Sequence, residues 1–100
     1  QSDDVIRLHG GSVVIDAVRR TLTVRGESVD LTKKGFDIIA VLARYPGVAV
    51  PRDRLIREVW KTDWHGFSHS LDVHIAAVRR KVPPGLVETV RGVGYRLSGA

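Results

Sequence analysis

The spacing of apolar residues changes from strand-like to helix-like and back along the chain. In the first third, short runs of apolar residues are separated by turn residues such as Gly10-Gly11, Asp16-Ala17 and Gly26-Glu27. This pattern predicts a small antiparallel sheet of three or four strands. The predicted strands are Val5–Leu8, Val13–Ile15, Leu22–Val24 and Val29–Leu31.

The middle of the chain has the apolar spacing of helices. Thr32 is a good N-cap for a helix over residues 33–44, whose dense apolar positions predict that most of its surface is buried. A second helix is predicted over residues 52–60, because its apolar residues recur at the spacing of one helical face. Between these helices, Val48–Val50 is predicted to be a short strand or a turn.

The last third predicts one further helix followed by a hairpin. Ser68 can cap a helix over residues 69–82, and the Pro-Pro-Gly sequence that follows stops it. The strands Leu86–Val90 and Tyr95–Leu97 then flank a turn that contains two glycines. The chain is therefore predicted to be one α+β domain over residues 1–100, with an N-terminal antiparallel sheet, three helices and a C-terminal β-hairpin.

The third predicted helix turns small apolar groups away from the core. At about 100° per residue, its core seam consists of Leu71, Ile75, Val78 and Val82. The opposite face carries His69, Val73, Ala76, Ala77 and Arg80, with His74 and Arg79 on the two flanks.

Two interpretations of this face are open. Single exposed apolar residues are common on protein surfaces and need no partner. In a DNA major groove, however, Val or Ala can contact a thymine methyl group while His or Arg reaches base-edge acceptors. The flanking His74 and Arg79 would then lie near the phosphates.

The predicted hairpin favours the nucleic-acid interpretation. Two helices joined by a loop, the second with a charged outer side, match a helix-turn-helix. The hairpin that follows carries Thr89 and Arg91, and its turn contains Gly92 and Gly94. A thin ribbon that presents an arginine can enter a DNA minor groove, where narrow A·T tracts attract the positive charge.

Positive charge is concentrated in the second half of the chain. The net charge at pH 7 is +5; residues 1–50 hold seven Lys and Arg against six Asp and Glu, and residues 51–100 hold nine against five. This excess favours a polyanionic partner, with nucleic acid first and an acidic membrane or protein second. Modest basicity is also common on soluble surfaces, so charge alone does not decide.

Other classes of function find little support in the residues. The chain has no Cys, no Ser in a nucleophile-elbow pattern, and no third glycine after Gly92-Val93-Gly94, so we expect neither an enzyme nor a cofactor site. His65 and His69 are four residues apart, but Gly66 and Ser68 break the helix that a shared metal ion would need. No run of about twenty apolar residues predicts a transmembrane helix.

Three stretches of the sequence carry a family resemblance. They are LTKKGFDIIAVLARYPGVAVPRDRLIREVW from residue 31, SLDVHIAAVRRKV from residue 70, and VETVRGVGYRL from residue 87. Over nearly the whole chain they resemble the OmpR/PhoB-type winged-helix effector domain of two-component response regulators. The most specific matches are residues 72–75 with Arg79 and Lys81, and residues 89–96.

The resemblance implies sequence-specific binding of double-stranded DNA for the regulation of transcription. Residues 69–82 would be the recognition helix in the major groove, and residues 86–97 would be the wing in the minor groove. The recognition-helix contacts would be His69, Ser70, Val73, His74, Ala77, Arg79 and Arg80. Thr89 and Arg91 would contact DNA from the wing, and Arg52 and Trp60 would contact backbone phosphates.

The resemblance also implies protein partners. The loop over residues 61–67 is similar to a segment that often meets RNA polymerase; the candidate contacts are Lys61, Asp63, Trp64 and His65. Members of the family usually bind direct repeats in a promoter or operator as homodimers. Nothing in the chain resembles their receiver domain, so we expect it to be the effector part of a longer regulator. The absence of Cys also favours a cytoplasmic location.

Four residues depart from the family pattern and leave an alternative open. Gly35 replaces a usual Glu, and this predicts a first helix that is less stable or begins later. His69 replaces a frequent Arg, and Ala76 and Ala77 occupy positions that are often basic, which predicts fewer phosphate contacts. A winged helix that binds protein instead of DNA would also suit this uncharged face. Salt dependence would separate the two, because DNA binding weakens steeply with salt.

Overall fold

An antiparallel sheet, three helices and a second small sheet follow one another along the chain. The computed structural model describes residues 5–62 and 65–98. The first sheet contains β1 (Val5–Leu8), β2 (Val13–Asp16), β3 (Thr21–Val24) and β4 (Glu27–Val29). The helices are α1 (Lys33–Ala43), α2 (Arg52–Trp60) and α3 (Ser68–Arg79). The second sheet contains β5 (Val50–Pro51), β6 (Val87–Val90) and β7 (Gly94–Leu97).

The N-terminal sheet is a meander in which each strand pairs with the next one. Its inward side is apolar, since Leu8, Val13, Ile15 and Leu22 are all buried. The first three strands lie within one residue of their predicted bounds. The buried residues of this sheet belong to the same apolar core as those of the helices and of the C-terminal hairpin.

The fourth strand begins two residues earlier than the sequence predicts. Val24 pairs with Glu27, so the hairpin turn contains only Arg25 and Gly26. Both turn residues have positive φ, 52° and 82°, which matches the twist of a two-residue hairpin. The strand therefore starts directly after Gly26, and Leu31 packs partly buried against the core instead of extending the sheet.

Helix α1 begins at its predicted residue and lies at the centre of the fold. The Oγ1 atom of Thr32 accepts a hydrogen bond from the Gly35 amide at 3.1 Å, which confirms the predicted N-cap. Gly35 is predicted to delay the start of this helix, but α1 begins at Lys33, before the glycine. A Cβ atom at that residue would lie 3.1 Å from Cγ2 of Val78, so the glycine allows α1 and α3 to approach closely.

Helix α2 has its predicted bounds, whereas α3 differs at both ends. The predicted cap at Ser68 is wrong: Phe67 is the N-cap residue and no side chain caps the helix. A short 3-10 helix over His65–Phe67 runs directly into α3, so Phe67 is not extended as a capping residue must be. The α-helix ends at Arg79, and residues 80–82 form a turn.

The second sheet joins the start of α2 to the C-terminal hairpin. Strand β7 is central, with β5 on one side and β6 on the other. Pro51 is paired with Gly94, and Val50 with Tyr95. The predicted ambiguity at residues 48–50 is thus resolved as a two-residue strand that begins at Val50.

The described residues confirm the predicted fold class, a winged helix-turn-helix. Helices α2 and α3 both pack on α1, and the β6–β7 hairpin follows them as the wing. All buried side chains of the described residues are apolar, apart from the Tyr95 hydroxyl, which is hydrogen bonded. No helix within the described ranges is long and apolar enough to cross a membrane.

Replacement of Gly94 by Ala should destabilise the fold strongly. Its Cβ atom would collide with the Val50 carbonyl oxygen and lie 3.0 Å from the Arg52 amide nitrogen, and these backbone atoms cannot move without breaking the β5–β7 pairing. We expect Gly94→Ala to lower the free energy of unfolding by about 3 kcal/mol or more. Denaturant titration followed by circular dichroism measures this change.

Gly92→Ala is the matched control in the same hairpin. Gly92 has a φ of 75°, and nothing lies within 4 Å of its would-be Cβ atom. The substitution should therefore cost only the strain of placing Ala in a left-handed backbone conformation, about 1–2 kcal/mol. Equal destabilisation by the two substitutions would contradict the close approach of β5 to β7.

Candidate nucleic-acid interface

The outward face of α3 is exposed, as its helical spacing predicts. The seam of Leu71, Ile75, Val78 and Val82 is buried. His69, Ala76 and Arg80 are exposed, Ser70 and Ala77 are half-buried, and the Val73 side chain keeps 51% of its surface accessible. The helix therefore presents a ridge of small and mostly uncharged groups to solvent.

One flank of α3 packs against the end of α2 through aromatic rings. The Trp60 ring stacks on Phe67 with a centroid distance of 5.4 Å, and it meets the His74 ring at 5.8 Å. From α1, Lys34 Nζ lies 5.6 Å from the centre of the Trp60 ring and donates a hydrogen bond to the Val59 carbonyl at 3.0 Å. His74 and Trp60 thus help to fix the angle between α2 and α3, and both remain half-exposed.

The opposite flank of α3 is tied to the wing by Arg79. The Nε and Nη2 atoms of Arg79 donate hydrogen bonds to the Val87 carbonyl at 3.1 and 3.0 Å. Nη2 also donates to Thr89 Oγ1 at 2.7 Å, and the guanidinium lies 5.5 Å from the centre of the Tyr95 ring. Two predicted DNA contacts, Arg79 and Thr89, therefore touch each other and hold the wing beside the recognition helix.

A second cluster joins the start of α2 to α3 and β7. Arg52 Nη1 donates to Asp72 Oδ1 at 2.7 Å, and Arg52 Nη2 donates to the Ser68 carbonyl at 3.0 Å. The Tyr95 hydroxyl donates to the same Asp72 oxygen at 2.7 Å. We call Arg52, Asp72 and Tyr95 the Asp72 cluster.

The Asp72 cluster stabilises its own charges. The hydrogen bond from Arg52, assisted by the one from Tyr95, lowers the pKa of the Asp72 carboxyl. Asp72 in turn raises the pKa of Arg52, and burial followed by the bond to Asp72 raises the pKa of Tyr95. The carboxylate and the guanidinium are therefore both ionised at neutral pH.

The wing tip is exposed and carries one arginine. Arg91, Gly92 and Val93 form the turn between β6 and β7, and all three are exposed. Arg91 makes no hydrogen bond or ion pair with another described residue, whereas Arg96 pairs with Glu88 across the hairpin at 2.6 Å. Arg91 is thus available at the tip, as its predicted role requires.

Part of the loop between α2 and α3 lies outside the described residues. Of the four predicted polymerase contacts, Asp63 and Trp64 belong to this gap. Lys61 is exposed and ends α2 with a left-handed backbone, φ 60°. His65 begins the 3-10 helix. Among residues 5–62 and 65–98, no group of three or more His, Asp or Glu side chains is arranged to hold a metal ion.

The sequence reasoning missed the roles of Asp72 and Tyr95. Both residues belong to the specific motifs of the family resemblance, but their partners are separated by 20 or more residues in the chain. The available signal was Asp72 itself, because a carboxylate on a helix expected to meet DNA needs a positive partner. Helical spacing alone could not identify Arg52 as that partner.

Comparison with known proteins decides the family. The model of the family described as "Transcriptional regulatory protein, C terminal" matches residues 26–97. The chain belongs to this family. Its OmpR/PhoB-type domains are DNA-binding parts of response regulators, a family of transcriptional regulators and not of enzymes.

Individual relatives agree with this assignment. The transcriptional regulatory protein AfsQ1 of Streptomyces coelicolor is 42% identical over 92 residues, which cover 87% of this chain and 41% of AfsQ1. The chain thus spans less than half the length of that relative.

Solved structures agree in fold. The DNA-binding domain of CpxR from E. coli has a TM-score of 0.83 at 29% identity, over 96% of this chain and 98% of the CpxR domain. The RstA DNA-binding domain of Klebsiella pneumoniae was solved in complex with the RstA box. It has a TM-score of 0.82 at 32% identity, over 94% of this chain and 96% of the RstA domain.

Loss of the Arg79 guanidinium should loosen the wing selectively. Arg79→Met keeps the length of the side chain but leaves the Val87 carbonyl and Thr89 without their donor. We expect the free energy of local opening at the amides of residues 87–90 to fall by about 1–3 kcal/mol, so that these amides exchange faster. Hydrogen exchange followed by NMR measures this change residue by residue.

Arg80→Met is the control for that experiment. Arg80 is exposed, and its side chain makes no hydrogen bond or ion pair with another described residue. Wing exchange should stay at the wild-type rate. Faster exchange in both variants would mean that the Arg79 bonds do not hold the wing.

Proposed function

We propose that this domain binds specific sequences of double-stranded DNA and thereby regulates transcription. The observation that carries the proposal is the contact between Arg79 and Thr89, which holds the exposed face of α3 and the wing side by side. A recognition helix and an adjacent ribbon are the two elements that winged helices insert into neighbouring grooves. The RstA domain, which is similar over 94% of this chain, was solved with its own DNA box.

The recognition helix would enter the major groove with its uncharged ridge. A groove about 12 Å wide admits an α-helix, and small side chains allow it to lie deep. Val73 and Ala77 would contact thymine methyl groups, while His69, Ser70 and Arg80 would donate to base edges.

Arg91 at the wing tip would enter the adjacent minor groove. His74, Arg79 and Thr89 would lie along the phosphates on the two flanks of α3, and Trp60 would approach a phosphate from the end of α2. With few basic residues on the helix itself, base and methyl contacts would account for more of the affinity than in basic-helix relatives.

Further partners belong to the same proposal. We infer that the domain is the effector part of a longer cytoplasmic regulator, because the chain matches 41% of the length of AfsQ1. Binding as a homodimer to direct repeats would compensate for the few base pairs that one helix and one wing can read. Lys61 and His65, with Asp63 and Trp64 between them in sequence, would contact RNA polymerase.

One observation favours a second candidate, a protein-binding module. Val73 is 51% exposed, and its neighbours Ala76 and Ala77 carry no charge. Titration of a labelled duplex at several salt concentrations separates the candidates. Affinity for DNA should fall steeply between 50 and 200 mM salt, by about tenfold or more for a few phosphate contacts. An apolar protein contact would change little over this range.

Val73→Asp should abolish specific binding without unfolding the domain. The new carboxylate would face bases and phosphates, so the affinity for a selected duplex should fall by at least about tenfold. Val18→Asp is the control, because it adds the same charge at a 71% exposed residue in the turn between β2 and β3, outside α3 and the wing. Retained binding by Val73→Asp would mean that the face of α3 is misassigned.

Arg91→Ala should weaken DNA binding while the fold stays intact. Loss of one arginine–DNA contact should reduce the slope of log affinity against log salt by about 0.9. Arg19→Ala removes the same charge from an 82% exposed side chain in the β2–β3 turn and should leave the slope unchanged. Equal affinity of Arg91→Ala and wild type, measured by fluorescence anisotropy, would refute a role of the wing tip.

A further inference from the structure

Asp72 is the acidic residue of α3 and lies in its second turn. Its side chain is 50% exposed on the same flank as Arg79, beside β7 and the first residue of α2. In the proposed complex, phosphates approach both flanks of this helix, so an ionised carboxylate there repels DNA. A residue that weakens binding in this position needs a compensating role.

The geometry of the Asp72 cluster indicates that role. One carboxylate oxygen accepts both the Arg52 Nη1 bond and the Tyr95 hydroxyl bond, each at 2.7 Å. The other terminal nitrogen of Arg52 donates to the Ser68 carbonyl at 3.0 Å. Both terminal nitrogens of Arg52 therefore donate to groups of α3, while 34% of the Arg52 side chain remains exposed.

Asp72 also fixes three elements relative to one another. Arg52 belongs to α2, Asp72 to α3 and Tyr95 to the wing strand β7. A duplex that matches both α3 and the wing gains from this fixed arrangement, because base contacts require both elements at once. An arbitrary duplex gains nothing from it, since its affinity comes from phosphate contacts alone.

We propose that Asp72 is a specificity-determining residue, which withholds Arg52 from the phosphates of arbitrary DNA and orients α3 against the wing for the matching site. The proposal rests on the proposed function and deepens it. Arg52, expected from the family resemblance to contact phosphate, acts in the specific complex as a positioning residue. Removal of the Asp72 charge releases Arg52, so non-specific affinity rises while specific affinity does not rise with it.

Asp72→Asn tests this directly, because Asn keeps an acceptor oxygen but weakens both charge-assisted bonds. Anisotropy titrations would use a duplex selected from a random library and a scrambled duplex of equal composition, at several salt concentrations. Affinity for the scrambled duplex should rise about five- to tenfold at 0.1 M salt, with a slope steeper by about 0.9, as one new phosphate contact gives. The ratio of specific to non-specific affinity should fall.

Two further variants separate this role from net charge and from simple structural support. Asp37→Asn removes the same charge from an arginine pair of similar length, Arg20–Asp37 at 2.8 Å on α1, and should leave the affinity ratio unchanged. Asp72→Glu keeps the charge and should hold the scrambled-duplex affinity at the wild-type value. Thermal unfolding of each variant confirms that it is folded at the assay temperature.

The possible outcomes distinguish the inference from the proposed function. If wild-type protein binds both duplexes equally, the proposed function fails and the inference fails with it. If wild type discriminates but Asp72→Asn retains its ratio, or loses affinity for both duplexes equally, the inference alone is overturned. An equal rise in scrambled-duplex affinity for Asp37→Asn, or for Asp72→Glu, would overturn it as well.

Discussion

The packing of the apolar seam of α3 against α1 determines what the domain can present to a partner. Leu71, Ile75 and Val78 are almost completely buried, and Gly35 lets α1 approach Val78 so closely that a methyl group would be crowded there. Once this seam is fixed, the rotation of α3 is fixed. Val73 and its neighbours must then face outward. Asp72 and Arg79, seven residues apart, must lie on the same flank of α3, where both contact Tyr95 of β7.

The polar groups around α3 are used first within the protein. Arg79 holds the wing through Val87 and Thr89, and Arg52 holds Asp72 and Ser68. These bonds restrict long side chains before any ligand arrives, which reduces the conformational entropy that binding would otherwise lose. The surface that remains for contact with bases therefore carries few charges and has a well-defined shape. Among the described residues, its unpaired arginines are Arg80 and Arg91.

Local patterns in the sequence predicted the parts of the fold that depend on local physics. The spacing of Leu71 and its partners identified the buried seam, and Thr32 identified the start of α1, because periodicity and capping act within a few residues. The errors arose where backbone geometry overrides residue preference. Arg25 adopts the positive φ that shifts β4, and the 3-10 helix before α3 leaves Ser68 no capping position. Asp72 and Tyr95 were missed because their contacts join distant parts of the chain.

Selection of bound duplexes from a random DNA library, at near-physiological salt and with this chain alone, tests sequence-specific recognition most directly. If α3 and the wing read adjacent grooves, one sequence motif will be enriched. It will contain base pairs that contact α3 in the major groove and, beside them, an A·T-rich stretch that contacts the wing in the minor groove. Repeats of the motif will recur at near-helical spacing. A folded protein that enriches no sequence would contradict DNA recognition by this domain alone.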